Sequence, residues 1–431
     1  MLFKKIKNII GRVLQMMPII NDHPRLLSRQ EVVCRSLDKV VKHARLGASQ
    51  IKLKHILKYY GLDLDRFPAD MADDILFVLS SEFVSKSSLD KLRKLLIAFP
   101  DTAVSVSDWI LMYEMLCYRG LYTLAFDFRE LARVISLNFT LKDSKKLSQS
   151  SYAHIAAAVE GGECAEASHL DDLLIKSGVI GEEVNKWRLL RSLLYDSSKS
   201  NYNVALDGFS EFLLDKSVAV VGPSPTNADD ADEIDSFDLV LRLNYSYSGK
   251  GCDALHKGLR TDIACFNSEQ ASVLIKEHNR SLPEEIKWAC FKKDSLTEIV
   301  GALNKGCCCH SLVRFDDMNF HGDYNMIPWV VMDLCVNNAK NVKVFHTDLM
   351  LSQGRLPGYY PASFGRHDDM MNDLFRSSCI VHDPVLQYRA LCQLWSLGKI
   401  EGDARFNEVM MLGEQRYLEE LEKVYCRCLV K

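Results

Sequence analysis

The chain has 431 residues, 48% of them hydrophobic and 26% charged, so it is too long for one ordinary core and too apolar for extensive disorder. Its 53 basic and 57 acidic residues leave a net charge of −4 with no basic stripe, which excludes a general nucleic-acid binder and leaves room only for local phosphate pockets. No run approaches the ~20 apolar residues that cross a bilayer.

Residues 1–24 form a basic amphipathic segment. Leu2, Phe3, Ile6, Ile9, Ile10, Val13 and Leu14 recur at near-helical spacing, with Lys4, Lys5, Lys7 and Arg12 between them. A signal peptide would place its charges before an unbroken apolar core and a cleavage site, and that order is absent. Two readings stand side by side: a helix lying on an anionic membrane surface through residues 1–20, or one packed on its own domain.

Residues 25–210 read as a helical domain, loosely repeat-like but without a fixed period. Leu89–Ile97, Trp109–Tyr118 and Val184–Tyr195 place apolar residues at three- and four-residue intervals. No constellation of chemistry-bearing residues occurs here, so a scaffold or interaction role is expected.

The texture changes at Lys216, and residues 211–431 read as an α/β domain. Short apolar strands are predicted at Ser217–Val221, Leu239–Leu243, Ile263–Phe266, Val342–His346 and Ser378–Val381, with a helical segment through Trp329–Cys335. Strands alternating with helices imply a mostly parallel sheet covered on both faces, with ligands beyond the carboxyl ends of the strands. The 14 cysteines contain no CxxC pair, and the run Cys307–Cys308–Cys309–His310 reads as a loop or core edge rather than a metal cluster. Scattered thiols without a framework fit a reducing, cytoplasmic compartment.

The motifs lie at the strand ends. After the first strand, Gly222-Pro223-Ser224-Pro225 makes a sharp turn where a backbone can approach a ligand, though it is neither GxGxxG nor a phosphate-cradling GxxxxGK[ST]. The stretch Glu233-Ile234-Asp235-Ser236-Phe237-Asp238 then leads into the second strand, which ends on Arg242 and Asn244, two residues that share one strand face. Arg242 has a second, structural reading as a partner of Asp235 or Asp238.

The pattern VVGxS…EIDSFDxVxRxN…GxRTDI resembles the large motif of the sialyltransferase family and its bacterial relatives. The resemblance covers Ser217 to Asp403 and implies a Rossmann-like, metal-independent glycosyltransferase domain that takes a CMP-activated donor and no cofactor. It implies that Gly222, Ser224, Asn227, Asn244 and Gly322 line the nucleotide. Gly322-Asp323-Tyr324-Asn325 through Cys335 resembles the small motif, with His321 in place of the hydroxyl residue before the glycine. The family's disulfide partner of Cys335 is Ala219 here, which suits a bacterial-type enzyme without that bridge. His382-Asp383-Pro384-Val385-Leu386-Gln387 is similar to the very small motif, with Gln387 where the family carries glutamate. The resemblance makes His382 the base and His367 the phosphate ligand.

Within the same chemistry, transferases of Kdo, another CMP-activated 2-keto acid, retain configuration through a carboxylate, and Asp348 after the fourth predicted strand stands where such a nucleophile is expected. Its plain alternative is a cap or turn residue. The acceptor implied is a saccharide or glycolipid of a bacterial surface polysaccharide, with the protein cytoplasmic or peripheral on the inner face of the membrane. Two readings of other classes stand beside these. One is an inactive transferase-like binding or scaffold protein, favoured by Gln387. The other is a methyltransferase, disfavoured because Asn244 stands where an acidic ribose ligand is expected.

Overall fold

The computed structural model describes residues 28–98, 104–138, 147–197, 208–226, 228–243, 254–267, 271, 282, 285–292, 308–352 and 375–429. The basic segment 1–24 therefore lies outside the described residues, as do Asn227, Asn244 and His367. No helix among the described residues is long and apolar enough to cross a membrane.

Two compact units divide the chain, and they do not follow its order: one is Met1–Ile135 with Asp373–Val381 and Tyr425–Lys431, the other Ser136–Asn372 with His382–Val424. The first is helical. Its helices are α1 (Arg29–Arg45), α2 (Gln50–Tyr59), α3 (Ala69–Ser80), α4 (Lys86–Ala98), α5 (Val106–Arg119) and α6 (Tyr122–Asn138), the last through Ile135. Ser28 starts α1 with a capping box closed by Glu31. The predicted helices at Leu89–Ile97 and Trp109–Tyr118 are found within α4 and α5. Helix α5 is apolar almost all round, and Trp109, Met112, Met115, Leu116 and Cys117 are fully buried, so it forms the unit's core. Trp109 packs edge-on to Phe67 at 5.2 Å and tilted to Phe128 at 5.6 Å. The two buried acids of this helix are both paired, Glu114 with Arg29 Nε at 2.5 Å and Asp108 with an Arg66 Nη at 2.8 Å, as buried carboxylates require.

The second unit is α/β. Helices α7 (Leu147–Gly161), α8 (Ala167–Lys176) and α9 (Glu182–Tyr195) belong to it, so Lys216 marks the start of the sheet and not the edge of the unit. Lys399 Nζ donates to the carbonyls of Ser192 and Leu193 at the end of α9, and Arg389 bridges Glu160 of α7 and Glu414. These ties are long-range and leave no trace in the local pattern of residues 136–197.

After α10 (Gly208–Leu213) come strands β1 (Ser217–Val221), β2 (Leu239–Leu243), β3 (Ile263–Phe266), β4 (Trp288–Phe291), β5 (Cys308–Ser311), β6 (Asn341–Phe345) and β7 (Glu401–Gly402). All seven are parallel, in the order β5-β4-β3-β2-β1-β6-β7. Strands β2 and β3 are buried along their length, as helices on a parallel sheet demand. Among the helices are α11 (Ala231–Ser236), α12 (Ala254–Lys257), α13 (Met326–Val336), α14 (Pro384–Ser396), α15 (Ala404–Met411) and α16 (Glu414–Tyr425).

Four of the five predicted strands are found. The fifth, Ser378–Val381, is instead the end of a helical turn, where the Cys379 N–H bonds the Phe375 carbonyl at 3.0 Å and Val381 bonds Ser378. Its short apolar run fits either structure, and its neighbours in the helical unit decide. The cysteine run, expected as a loop or core edge, forms the edge strand β5 from Cys308. His310 there stacks on Phe209 at 4.0 Å and sits 3.1 Å from both oxygens of Asp333, a structural pair. No cysteine among the described residues is in a disulfide.

Candidate functional site

Strand order alone creates a crevice. From β1 the sheet extends through β2 to β5 on one side and through β6 to β7 on the other, so loops leaving β1 and β6 diverge at their carboxyl ends. This switch point is where open parallel sheets take ligands.

The loop after β1 is stitched to the segment after β6. Gly222 N–H donates to Phe345 O at 2.8 Å and Ser224 N–H to His346 O at 3.0 Å. A Cβ on Gly222 would fall on the Thr347 hydroxyl and 2.5 Å from the His346 carbonyl, so only glycine allows the two backbones this close. Ser224 Oγ donates to Asp348 Oδ1 at 2.9 Å, and Asp348 N–H returns to Ser224 Oγ at 3.3 Å. Met350 N–H closes a turn on the same carboxylate oxygen at 3.1 Å. Asp348 is 1% exposed, and its Oδ2 makes no hydrogen bond. It is thus a turn residue with one oxygen in reserve.

The segment after β6 is strained. His346, Leu349 and Met350 adopt left-handed backbone, with φ of 51°, 48° and 75°, and none of the three is glycine. Such clustering costs energy and persists where the surroundings over-determine it, commonly at ligand sites.

Two buried cations frame the crevice. Arg242 lies within the fully buried β2, where Nε donates to Arg260 O at 2.9 Å and Thr261 Oγ1 at 3.1 Å, and an Nη to Lys257 O at 2.7 Å. The expected pairing with Asp235 or Asp238 is not made. Asp235 instead receives the Leu259 and Arg260 N–H groups, and Asp238 caps Ser217. Backbone carbonyls reach the guanidinium from the next crossover, which strand spacing does not reveal. Lys257, 2% exposed, sends Nζ to the carbonyls of Gly222 at 3.0 Å and Ser224 at 2.8 Å, holding the loop from beneath.

His346 is buried beside two carboxylates. Its backbone N–H donates to Asp403 Oδ2 at 2.6 Å, while Asp403 Oδ1 caps α15 through the Phe406 N–H at 2.7 Å. Its ring lies between Asp230, 3.5 Å from Nε2, and Asp403, 3.7 Å from Nδ1. One ligand atom from each of Asp230, His346 and Asp403 falls within 4.8 Å of the others, the one group of three metal-competent side chains among the described residues. Burial, then the Lys257 charge, takes the imidazole down to about 4. Burial and the nearby Asp403 and Glu233 charges push the Asp230 carboxyl up. The sequence reading missed all three, together with Lys257. Asp230 and Asp403 look like ordinary residues before helices, and only the strand-terminal position of His346 hints at a site.

A second group forms where β4 ends. Lys292 Nζ donates to Tyr324 O at 2.9 Å, sits 3.4 Å from Asp323 and lies over the Trp329 ring at 3.9 Å. Gly322, with φ 68°, turns the chain into this stretch. His382 borders it, and burial, followed by the Lys292 charge, lowers the imidazole to about 4, with the backbone of Asp323 and Tyr324 opposing. Its buried Nδ1 has no hydrogen-bond partner. Asp383 caps α14 through the Val385 and Leu386 N–H groups, and Pro384 occupies the first helical turn. Gln387 Nε2 donates back to Asp383 O at 3.2 Å, so the amide supports the turn that presents His382.

The sequence-predicted residues thus gather in two places, Gly222, Ser224 and Asp348 at the switch point and His382 beside Gly322–Tyr324, both at carboxyl ends of strands. No protein-family model matches the chain, and neither the curated proteins nor the solved structures give a match.

Proposed function

We propose that this chain is a glycosyltransferase with a Rossmann-like domain that moves a 2-keto acid sugar, sialic acid or Kdo, from its CMP-activated donor to a saccharide acceptor. The observation that carries the reading is the Gly222–Ser224 loop laid against His346–Asp348 at the switch point of an all-parallel sheet. A glycine-backed loop over buried Lys257 and Arg242 suits a nucleotide whose phosphate brings negative charge.

His382 is neutral at pH 7 and has an unbonded nitrogen, as a group receiving the acceptor hydroxyl proton must. An anionic donor arriving beside it would raise its basicity. His367 is assigned to the departing phosphate and Asn244 to the nucleotide on the sequence resemblance alone. A retaining reaction through Asp348 is a second reading, supported by the unbonded Oδ2. There the carboxylate would attack the anomeric carbon as CMP leaves, and the acceptor hydroxyl would then displace it.

The test is calorimetric titration with CMP, CDP and UDP, followed by turnover of CMP-sialic acid and CMP-Kdo. Selective CMP binding that is weakened in Asn244→Ala, with turnover lost in His382→Ala, is expected. Absence of any preference for CMP overturns the reading. The anomeric configuration of the product separates the His382 route from the Asp348 route.

A further inference from the structure

His346 is held in an unusual way. Its side chain is 1% exposed, and two carboxylates face its two nitrogens at 3.5 and 3.7 Å. Both separations exceed the roughly 2.7–3.2 Å of an N–H···O bond. A neutral imidazole carries a single N–H, so at most one of the two carboxylates can be offered a donor, and the other faces a lone pair. Nε2 of His346 and Oδ2 of Asp230 have no hydrogen-bond partner although both atoms are buried, and the contact that favours the charged ring comes from the His256 backbone. Buried polar atoms are rarely left so without a missing partner.

One imidazole meets one ion through one nitrogen, so the 3.5 Å between Nε2 and Asp230 is the ligand spacing about that ion, and one atom from each of the three residues lies within 4.8 Å of the others. Donors bonded at about 2.0–2.2 Å to one metal stand roughly 3.0–3.6 Å from their neighbours. The arrangement is also fixed in advance. The left-handed backbone of His346 and the 2.6 Å bond from its backbone N–H to Asp403 Oδ2 fix the main chain from which the ring projects, and the cap on α15 fixes Asp403. Each Asp403 oxygen accepts one N–H and keeps a lone pair.

We propose that Asp230, His346 and Asp403 form a binding site for one divalent transition-metal ion of the Mn²⁺ or Zn²⁺ class. One imidazole with two carboxylates is a mixed nitrogen and oxygen set, which suits these ions better than Mg²⁺ and far better than thiolate-seeking Cu(I). Two carboxylates balance the ion's charge, and three protein ligands leave room for water or an anion beside the Ser224 loop. The inference does not depend on the CMP-sugar reading, because it rests only on this cluster.

Mn²⁺ is the probe, since it favours oxygen and nitrogen and stays off the 14 thiols. The full chain, stripped with EDTA, is titrated with MnCl₂ while free Mn²⁺ is read by electron paramagnetic resonance and unfolding by circular dichroism. One ion per chain and a higher melting temperature with Mn²⁺ are expected. Asp230→Asn, at a half-buried position before α11, should weaken binding by roughly 10-fold or more and leave melting in EDTA unchanged. Asp229→Asn, at the exposed neighbouring position, should bind as wild type does. Should Asp230→Asn not fold, Co²⁺ on the wild type replaces it, and a paramagnetically shifted His346 imidazole is the supporting result. No Mn²⁺ bound by the wild type, equal binding by a folded Asp230→Asn, or an unshifted His346 with Co²⁺ overturns the proposal and leaves His346 a packing residue between two aspartates.

Discussion

The Ser224 hydroxyl and the Asp348 carboxylate, 124 residues apart, hold each other by two bonds, Oγ to Oδ1 at 2.9 Å and the Asp348 N–H back to Oγ at 3.3 Å. This pair joins the loop after β1 to the strained turn after β6. Ser224→Ala leaves a buried carboxylate with only the Met350 N–H, so a stability loss of about 1–3 kcal/mol is expected. Urea unfolding measures it, and CMP titration of the same variant should show weaker binding. Wild-type stability in Ser224→Ala would mean that the two segments are held together elsewhere.

Gly222→Ala tests the close approach itself. The added methyl would overlap the Thr347 hydroxyl and crowd the His346 carbonyl, and backbone cannot swing aside as a long side chain can. Overpacking of this kind costs about 1–3 kcal/mol or more. The melting temperature should fall, and hydrogen exchange at residues 346–350 should rise before exchange in β3 and β4 changes.

Lys257→Met keeps the shape of the stem and removes the donor to the Gly222 and Ser224 carbonyls. Losing two charge-assisted bonds outweighs the relief of desolvating one ammonium, and a net cost of about 1–3 kcal/mol follows. Affinity for any anionic ligand in the crevice should fall with it. Unchanged affinity with reduced stability would confine Lys257 to holding the loop.

His382 gives a pH signature. Its folded value of about 4 lies below the ordinary histidine value of about 6.5, so the unfolded chain binds the proton more readily. The stability that comes from keeping the ring neutral is full above pH ~6.5 and is lost as pH falls toward ~4, by up to about 3 kcal/mol. His382→Asn cannot titrate, so its stability should depend less on pH across that window. Nuclear magnetic resonance of the imidazole reads the value directly, and a His382 titrating near 6.5 would remove this effect.

Much of the sheet is legible because a strand buried on both faces must be short, apolar and β-branched. Val218–Val221, Leu239–Leu243 and Ile263–Phe266 carry that mark within five residues. β4, β5 and β7 do not. Trp288–Phe291 equals Ile263–Phe266 in length but opens on Trp in place of a β-branched residue, Cys308–Ser311 carries His and Ser, and Glu401–Gly402 is a strand only because β6 lies beside it. Ser378–Val381 carries the mark and is not a strand, since β-like composition creates no partner.

The site divides the same way. Local sequence determined the glycine turn at Gly222, the capped helix after His382 and the strand-end positions of Ser224 and Asp348, because turns, caps and strand periods act over a few residues. Tertiary structure alone decided that β1 would lie between β2 and β6, and hence that Ser224 would meet Asp348. It also brought Asp230, His346 and Asp403 within reach of one another and sent Lys257 beneath the loop. Those relations depend on the order of strands in the sheet, which follows from burying every crossover helix at once, and no segment of the chain carries that information by itself.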